Sequence, residues 1–316
     1  MDKGRIKYLD SARALAMIWV VGIWHNQLLD NNCYVFRYIT FGVLSVFMFM
    51  SGYLTRPIVS AKAYFLHKLI KLYPLFVLSC VSLFALHLMD SSFGYITSVP
   101  QLLLSLFGFT CFTRNLPLTI WFFCVIILFY MLTPLLMKYK WPFAGLIYLV
   151  FILGAVFFTF DERLVIYFPF YVIGLIGKPI YKKWESIRLP IRLSIICVGV
   201  TGSLILLHRT ENIPSTMICG LFGCVAILET AKMLAAASDR LASGFYIIAY
   251  ASTIAYLFHR QVYSAIGFVL KKMPMPDFAR HIFMFILVVL ISYFAQKLYD
   301  KMVLTFRLLR TGSASA

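Results

Sequence analysis

The sequence predicts an all-α integral membrane protein that crosses the bilayer about ten times, and three observations lead there. Hydrophobic residues make up 62% of the 316 positions and charged residues 13%, with a mean hydropathy of +0.87, a balance that water does not keep in solution. Apolar runs of about 18 to 25 residues recur along the whole length, each enough to span a hydrocarbon core roughly 30 Å thick. The runs are continuously apolar rather than alternating, so their backbone groups are satisfied within helices and not in a β-barrel.

Taken in order, the expected spans are Ala12–Leu29, Tyr38–Leu54, Leu69–Met89, Thr119–Lys138, Pro142–Thr159, Leu164–Ile180, Pro190–Leu207, Pro214–Leu234, Phe245–Leu270 and Arg280–Lys301. The first is longer than a signal-peptide core and has no small-residue cleavage site before Asp30, so it is expected to remain as a helix. Gln101–Phe112 is apolar but about half a membrane long, which predicts an interfacial or re-entrant helix. Residues 1–310 read as one transmembrane domain, with no further domain expected after the tenth span. Thr311–Ala316 reads as a short disordered tail without function.

Charge supplies the orientation. Of the 29 Lys and Arg residues, about 21 fall on the side shared by the two termini and about 7 on the other, with Arg260 inside a span. Both termini are therefore expected in the cytoplasm, in a multi-pass protein of the cell (inner) membrane. The net charge of +17 is carried by short loops and forms no continuous stripe, so it predicts lipid as a partner and no nucleic acid. The seven cysteines are scattered without a CxxC pair or a nearby histidine and read as small packed hydrophobes; no metal site is expected.

Ionisable side chains inside spans are costly and point to function by default, which leaves His25, His259, Arg260 and Glu229, with Arg13 at one mouth. His25 lies about 18 Å along its helix from Arg13, and His259 reaches a similar depth from the same side. Together the two histidines suit a site in which an imidazole acts as general base toward an alcohol; the plain alternative is two separately satisfied side chains. Lys68 and Lys71, at i, i+3 spacing at the inner end of the third span, present a cationic face suited to a phosphate, although orientation alone also accounts for them. No GxSxG elbow, GxxxxGK[ST] loop, HExxH or GxGxxG is present.

The run Arg5-Ile6-Lys7-Tyr8-Leu9-Asp10-Ser11-Ala12-Arg13, closing at Trp24-His25, resembles the opening of membrane acyltransferase family three, the O-acyltransferases of bacterial surface glycans. The agreement continues in order. Phe47 to Leu54 with Ser51-Gly52 looks like the family's second helix, and Lys68, Lys71, Tyr73 and Pro74 fall where it has RxxR before Tyr-Pro. Leu116 to Pro134 around Trp121 and Tyr130 resembles its next characteristic helix, and Tyr256-Leu257-Phe258-His259 resembles its late Tyr-Leu-x-His segment.

The resemblance implies an acyltransferase that takes an acyl group, most simply acetyl, from cytosolic acetyl-CoA to a hydroxyl of a surface polysaccharide or lipid-linked glycan. His25 and His259 would then be catalytic, His25 as the base or as the residue that accepts the acyl group, Arg13, Lys68, Lys71 and Tyr73 would hold the acyl-CoA, and Trp121 and Arg260 would serve the acceptor. One tunnel would join the cations to the imidazole. A transporter or flippase for lipid-linked sugars, or a structural subunit of a glycan-export complex, is the competing expectation. A homo-oligomer is compatible with all of these.

Two departures from the family pattern bear on the site. Arg13 and His25 are separated by eleven residues where the family has ten, which on a regular α-helix sets them roughly 120° apart instead of about 20°. A π-bulge between Ala14 and Trp24 is therefore predicted, because it would absorb the extra residue. Lys68 and Lys71 replace two arginines, keeping the charge and losing the bidentate fork.

Overall fold

The computed structural model describes residues 6–26, 28, 33–113, 117, 120–270 and 273–312. Lys3, Arg5, Leu29, Asp30, Leu116, Thr119 and residues 313–316, which figure in the sequence reading, lie outside the described residues. Among the described residues the fold is all helix, without strands.

Helix α1 (Lys7–Met17) passes directly into a π-helical segment, Ile18–Trp24, which falls between Ala14 and Trp24 as the extra residue predicts. Helices α2 (Tyr34–Tyr53) and α3 (Ala61–Met89) follow, α3 carrying Pro74 within its length. The half-length apolar stretch becomes the short helix α4 (Val99–Leu106) and a 3₁₀ turn, Phe109–Phe112. It is tied to the body of the protein where the Asp161 N–H donates to the Cys111 carbonyl at 3.0 Å.

Helix α5 (Trp121–Phe157) contains two helices. Lys140, at φ 52°, ψ −133°, breaks it two residues before Pro142, whose missing N–H and ring would in any case interrupt the ladder. Phe129 and Phe151 lie at nearly equal distances either side of the break, and their ring centroids are 6.3 Å apart. A straight helix would hold them roughly 33 Å apart, so the halves 121–139 and 141–157 fold back against each other.

Helix α6 (Glu162–Ile176) meets α7 (Lys178–Ser186) at an angle of 80°. This corrects the expected span Leu164–Ile180, which ends at Ile176. A Cβ on Gly177 would lie 2.6 Å from the Ile173 carbonyl oxygen, and Pro179 can open a helix but not continue one. Helices α8 (Leu189–Arg209), α9 (Ile213–Ala237), α10 (Asp239–Leu270) and α11 (Asp277–Gly312) complete the chain. Among the described residues, seven helices are long and apolar enough to cross a membrane, and the bent α6–α7 pair, taken as one span, makes an eighth.

The bundle is organised around α2, which packs on α6 and α9, while α1 packs on α9 and α10. Two glycine pairs permit this closeness. A methyl group on Gly42 would sit 2.8 Å from the Gly223 Cα on α9, and one on Gly52 would collide with the backbone of α6 near Gly174. In lipid, helix association depends on such close backbone approach rather than on hydrophobic exclusion. Helices α8 and α11 turn most of their apolar side chains outward, with Val198 74% and Phe294 65% exposed, as lipid-facing surfaces do.

Candidate active site

The π-helical segment ends at His25, whose backbone N–H bonds the Val20 carbonyl, five residues back, at 2.9 Å. Regular α-helix would turn about 120° too far between Arg13 and His25. Seven π residues at about 4.4 per turn remove roughly that excess, returning the two side chains to one face of the helix. A second feature fixes this register: the Tyr263 hydroxyl on α10 donates to the Val21 carbonyl at 2.6 Å.

His25 and His259 meet. Nδ1 of His25 is 2.8 Å from Nε2 of His259, and the rings lie within 10° of parallel with centroids 4.8 Å apart. Nδ1 of His259 faces two carbonyl oxygens, those of Tyr256 at 2.8 Å and Ala255 at 3.2 Å. Carbonyls only accept, so this Nδ1 carries the proton and Nε2 of His259 is the acceptor. His25 must then donate from its own Nδ1, and its Nε2 keeps a free lone pair.

The chain of donors thus ends in a base. When Nε2 of His25 takes a proton, its Nδ1–H remains bonded to His259, which holds the ring in place and spreads the new charge. His259 is fully buried and lines neither of the two cavities described below. In this geometry it can orient His25 from behind the cavity wall.

His25 opens on a cavity of about 620 Å³ at the end of the bundle away from the chain's N-terminal segment. Trp121, 8% exposed, forms part of its wall and stacks on Tyr167 with centroids 5.6 Å apart. The Arg163 guanidinium carbon lies 4.6 Å from the Trp121 ring centre, and Glu211 on the same wall pairs with Arg37. An aromatic plane beside charged and amide groups suits a polyhydroxylated molecule, which presents apolar C–H faces between hydroxyl edges.

A second cavity, of about 300 Å³, lies at the other end and is lined by Arg13, His67, Lys68, Lys71 and Tyr130. Lys68 Nζ sits 3.8 Å over the Tyr130 ring. The structure therefore brings Arg13, Lys68 and Lys71 together. It does not bring Tyr73 to them: that hydroxyl donates to the Leu106 carbonyl at 3.2 Å and anchors α4 to α3.

The expected single tunnel is two cavities. Tyr256, one turn before His259, lines both of them, and its ring packs against Phe122 at 5.2 Å, Phe123 at 5.8 Å and Phe47 at 6.4 Å between centroids. Aromatic side chains from α2, α5 and α10 meet there because each helix buries its apolar face toward the bundle axis.

Arg260 lines neither cavity; its guanidinium carbon sits 5.5 Å from the centre of the Tyr95 ring in the α3–α4 connection. Glu229 is buried in an ion cluster, accepting from Arg192 at 3.0 Å, Lys232 at 3.1 Å and the Trp184 indole at 3.2 Å, where it joins α7, α8 and α9. Residues that the sequence reading passed over include Tyr263 and the Asn26–His281 pair, in which Nδ1 of His281 and Oδ1 of Asn26 are 2.9 Å apart. Both surround the π segment, and neither carries a charge or a motif that would single it out. Among the described residues, no three His, Cys, Asp or Glu side chains converge as metal ligands do.

Comparison with curated proteins and with solved structures returns no match. Comparison with family models matches residues 6–297 to an acyltransferase domain, and that range contains both histidines and both cavities. The chain belongs to acyltransferase family 3 and is a multi-pass membrane acyltransferase.

Proposed function

We propose that this acyltransferase moves an acetyl group from cytosolic acetyl-CoA to a hydroxyl of a surface glycan or lipid-linked glycan on the far side of the cell membrane. The observation that carries this reading is the His25–His259 pair, which leaves Nε2 of His25 unprotonated at the wall of a cavity with an aromatic platform. Ten crossings fit the topology: the seven long helices, the α6–α7 pair, the run Lys7–Trp24 and the second half of α5. With the more basic side inward, both termini are cytoplasmic and the cavity of Arg13, Lys68 and Lys71 faces the cytosol.

In this reading the three cations hold the CoA phosphates by charge-assisted bonds. The axial distance from Arg13 to His25 is about 16–18 Å, comparable with an extended pantetheine arm, so one molecule reaches from one cavity to the other. The acceptor hydroxyl gives its proton to Nε2 of His25 as its oxygen attacks the thioester carbonyl. Collapse of the tetrahedral intermediate breaks the C–S bond. The leaving sulfur takes the proton back from His25, giving free CoA thiol and an acetyl ester.

Purified protein in lipid nanodiscs, supplied with acetyl-CoA and a glycan acceptor, is expected to release CoA thiol in step with ester formation. His25→Ala is expected to abolish both while keeping a folded elution profile. Full activity in that variant would end the proposal.

A further inference from the structure

The acyl-CoA reading requires the thioester to pass from the basic cavity to His25, and a single side chain common to both cavities stands between them. We infer that the Tyr256 ring is the aperture of this passage and selects the acyl group by its cross-section, admitting a slender chain and rejecting a branched one. The inference rests on acyl-CoA entering from the basic cavity.

Three observations place the selection at this ring. Tyr256 is 4% exposed and forms part of both cavity walls, whereas His25 lines only the far one and Arg13 only the basic one. On the basic side the ring is closed in by Phe47, Phe122 and Phe123. On the far side it faces the imidazoles, with centroids 6.5 Å from His25 and 6.0 Å from His259. An acyl group arriving at His25 therefore comes past Tyr256 last.

The ring can move without disturbing the base. The catalytic pair depends on the Tyr256 carbonyl, which accepts from His259, and not on the Tyr256 side chain. Helical side chains lean toward the helix N-terminus, which for α10 is the direction of the basic cavity. There, one turn earlier, the small Ser252 and Thr253 line the wall and leave room for the ring to swing down. The opening so made is bounded by the rings of Phe47, Phe122 and Phe123. A straight acyl chain presents one methylene in cross-section, and an α-branched chain presents two carbons side by side.

The test compares acetyl-CoA with isobutyryl-CoA as donors in the nanodisc assay. Removing the ring in Tyr256→Ala is expected to raise the isobutyryl-to-acetyl ratio of kcat/KM by about ten-fold or more, the discrimination that one branch carries in a fitted apolar site. Tyr256→Phe keeps the ring and is expected to keep the wild-type ratio. Phe122→Ala widens the same opening from the other helix and is expected to shift the ratio in the same direction. An unchanged ratio in Tyr256→Ala, or loss of acetyl transfer in both alanine variants, overturns the inference. Wild-type protein that releases no thiol from acetyl-CoA would instead defeat the acyl-CoA reading itself, so the two failures are distinguishable.

Discussion

Replacing His259 with alanine removes the acceptor for the Nδ1–H of His25 without touching either cavity. Two effects follow. In the resting enzyme a donor that had a partner at 2.8 Å loses it in a buried place, and the His25 ring is free to adopt either tautomer. In the transition state, where His25 carries a positive charge, a hydrogen bond to a charged donor is lost, which is worth about 1.5–3 kcal/mol. The same bond to the neutral ring is worth about 0.5–1.5 kcal/mol in the resting enzyme, so kcat loses the difference of about 1–1.5 kcal/mol and should fall by about 5- to 12-fold at 1.4 kcal/mol per factor of ten. KM for acetyl-CoA should change by less than about two-fold, because His259 lines neither cavity and contributes no uniform binding. His259→Gln, whose amide oxygen can accept from His25, should recover part of the loss. Initial rates of thiol release across an acetyl-CoA series separate the two constants. Wild-type kcat in His259→Ala, or an effect confined to KM, would refute the tautomer argument and reduce the pair to a packing contact.

Three other outcomes follow from the same geometry. Lys68→Ala and Lys71→Ala should each raise KM for acetyl-CoA by about ten-fold with little change in kcat, as loss of one charge-assisted phosphate contact does, and isothermal titration with CoA checks it. Glu229→Ala should destabilise the fold by about 3 kcal/mol because it takes the carboxylate from the part-buried Arg192, while Lys232 keeps its second partner, Glu185, at 2.8 Å; thermal unfolding in detergent should show a clear fall in Tm, smaller for Glu229→Gln. Tyr263→Phe should cost about 1 kcal/mol of stability by releasing the Val21 carbonyl, and should lower kcat more than it changes KM, because it loosens the segment that carries His25.

The seven long apolar helices were legible in the sequence because lipid tests composition locally: a run of apolar residues is either long enough to cross or is not, whatever lies next to it. The two histidines were legible for a related reason, since depth along a helix is set by residue count and both counts led to one level. Even the π segment could be read, from one residue too many between Arg13 and His25. What escaped was set by contact between distant parts of the chain. Arg260 stands beside His259 in sequence, yet a step of one residue turns it about 100° around α10, toward Tyr95 and away from the cavities. Tyr73 directly follows the cavity-lining Lys71 and Leu72 on α3 but points to α4. The layer that divides the expected tunnel is built from α2, α5 and α10, and no local pattern announces that Phe47, Phe122 and Tyr256 will meet. The bend after Ile176 was signalled by Gly177 and Pro179, but apolar character continues through Ile180 and masks it.

The π segment links the fold to the chemistry. A π register has poorer backbone geometry than an α register and persists where something else holds it. Here α10 supplies that hold twice, through the Tyr263 hydroxyl on the Val21 carbonyl and through His259 on His25, while Asn26 is secured by His281 of α11. These contacts depend on one another. If the first helix relaxed to α, His25 would rotate away from His259 by roughly 120°, and the Val21 carbonyl would turn from Tyr263. If α10 shifted by one residue, both partners would miss together. The positions of the base, its orienting imidazole and the cation below it on the same helix face are therefore one cooperative choice, made where α1 and α10 pack along each other. Wherever the first helix gains a residue between the arginine and the histidine, a local π turn braced by the facing helix is the change that keeps the site intact.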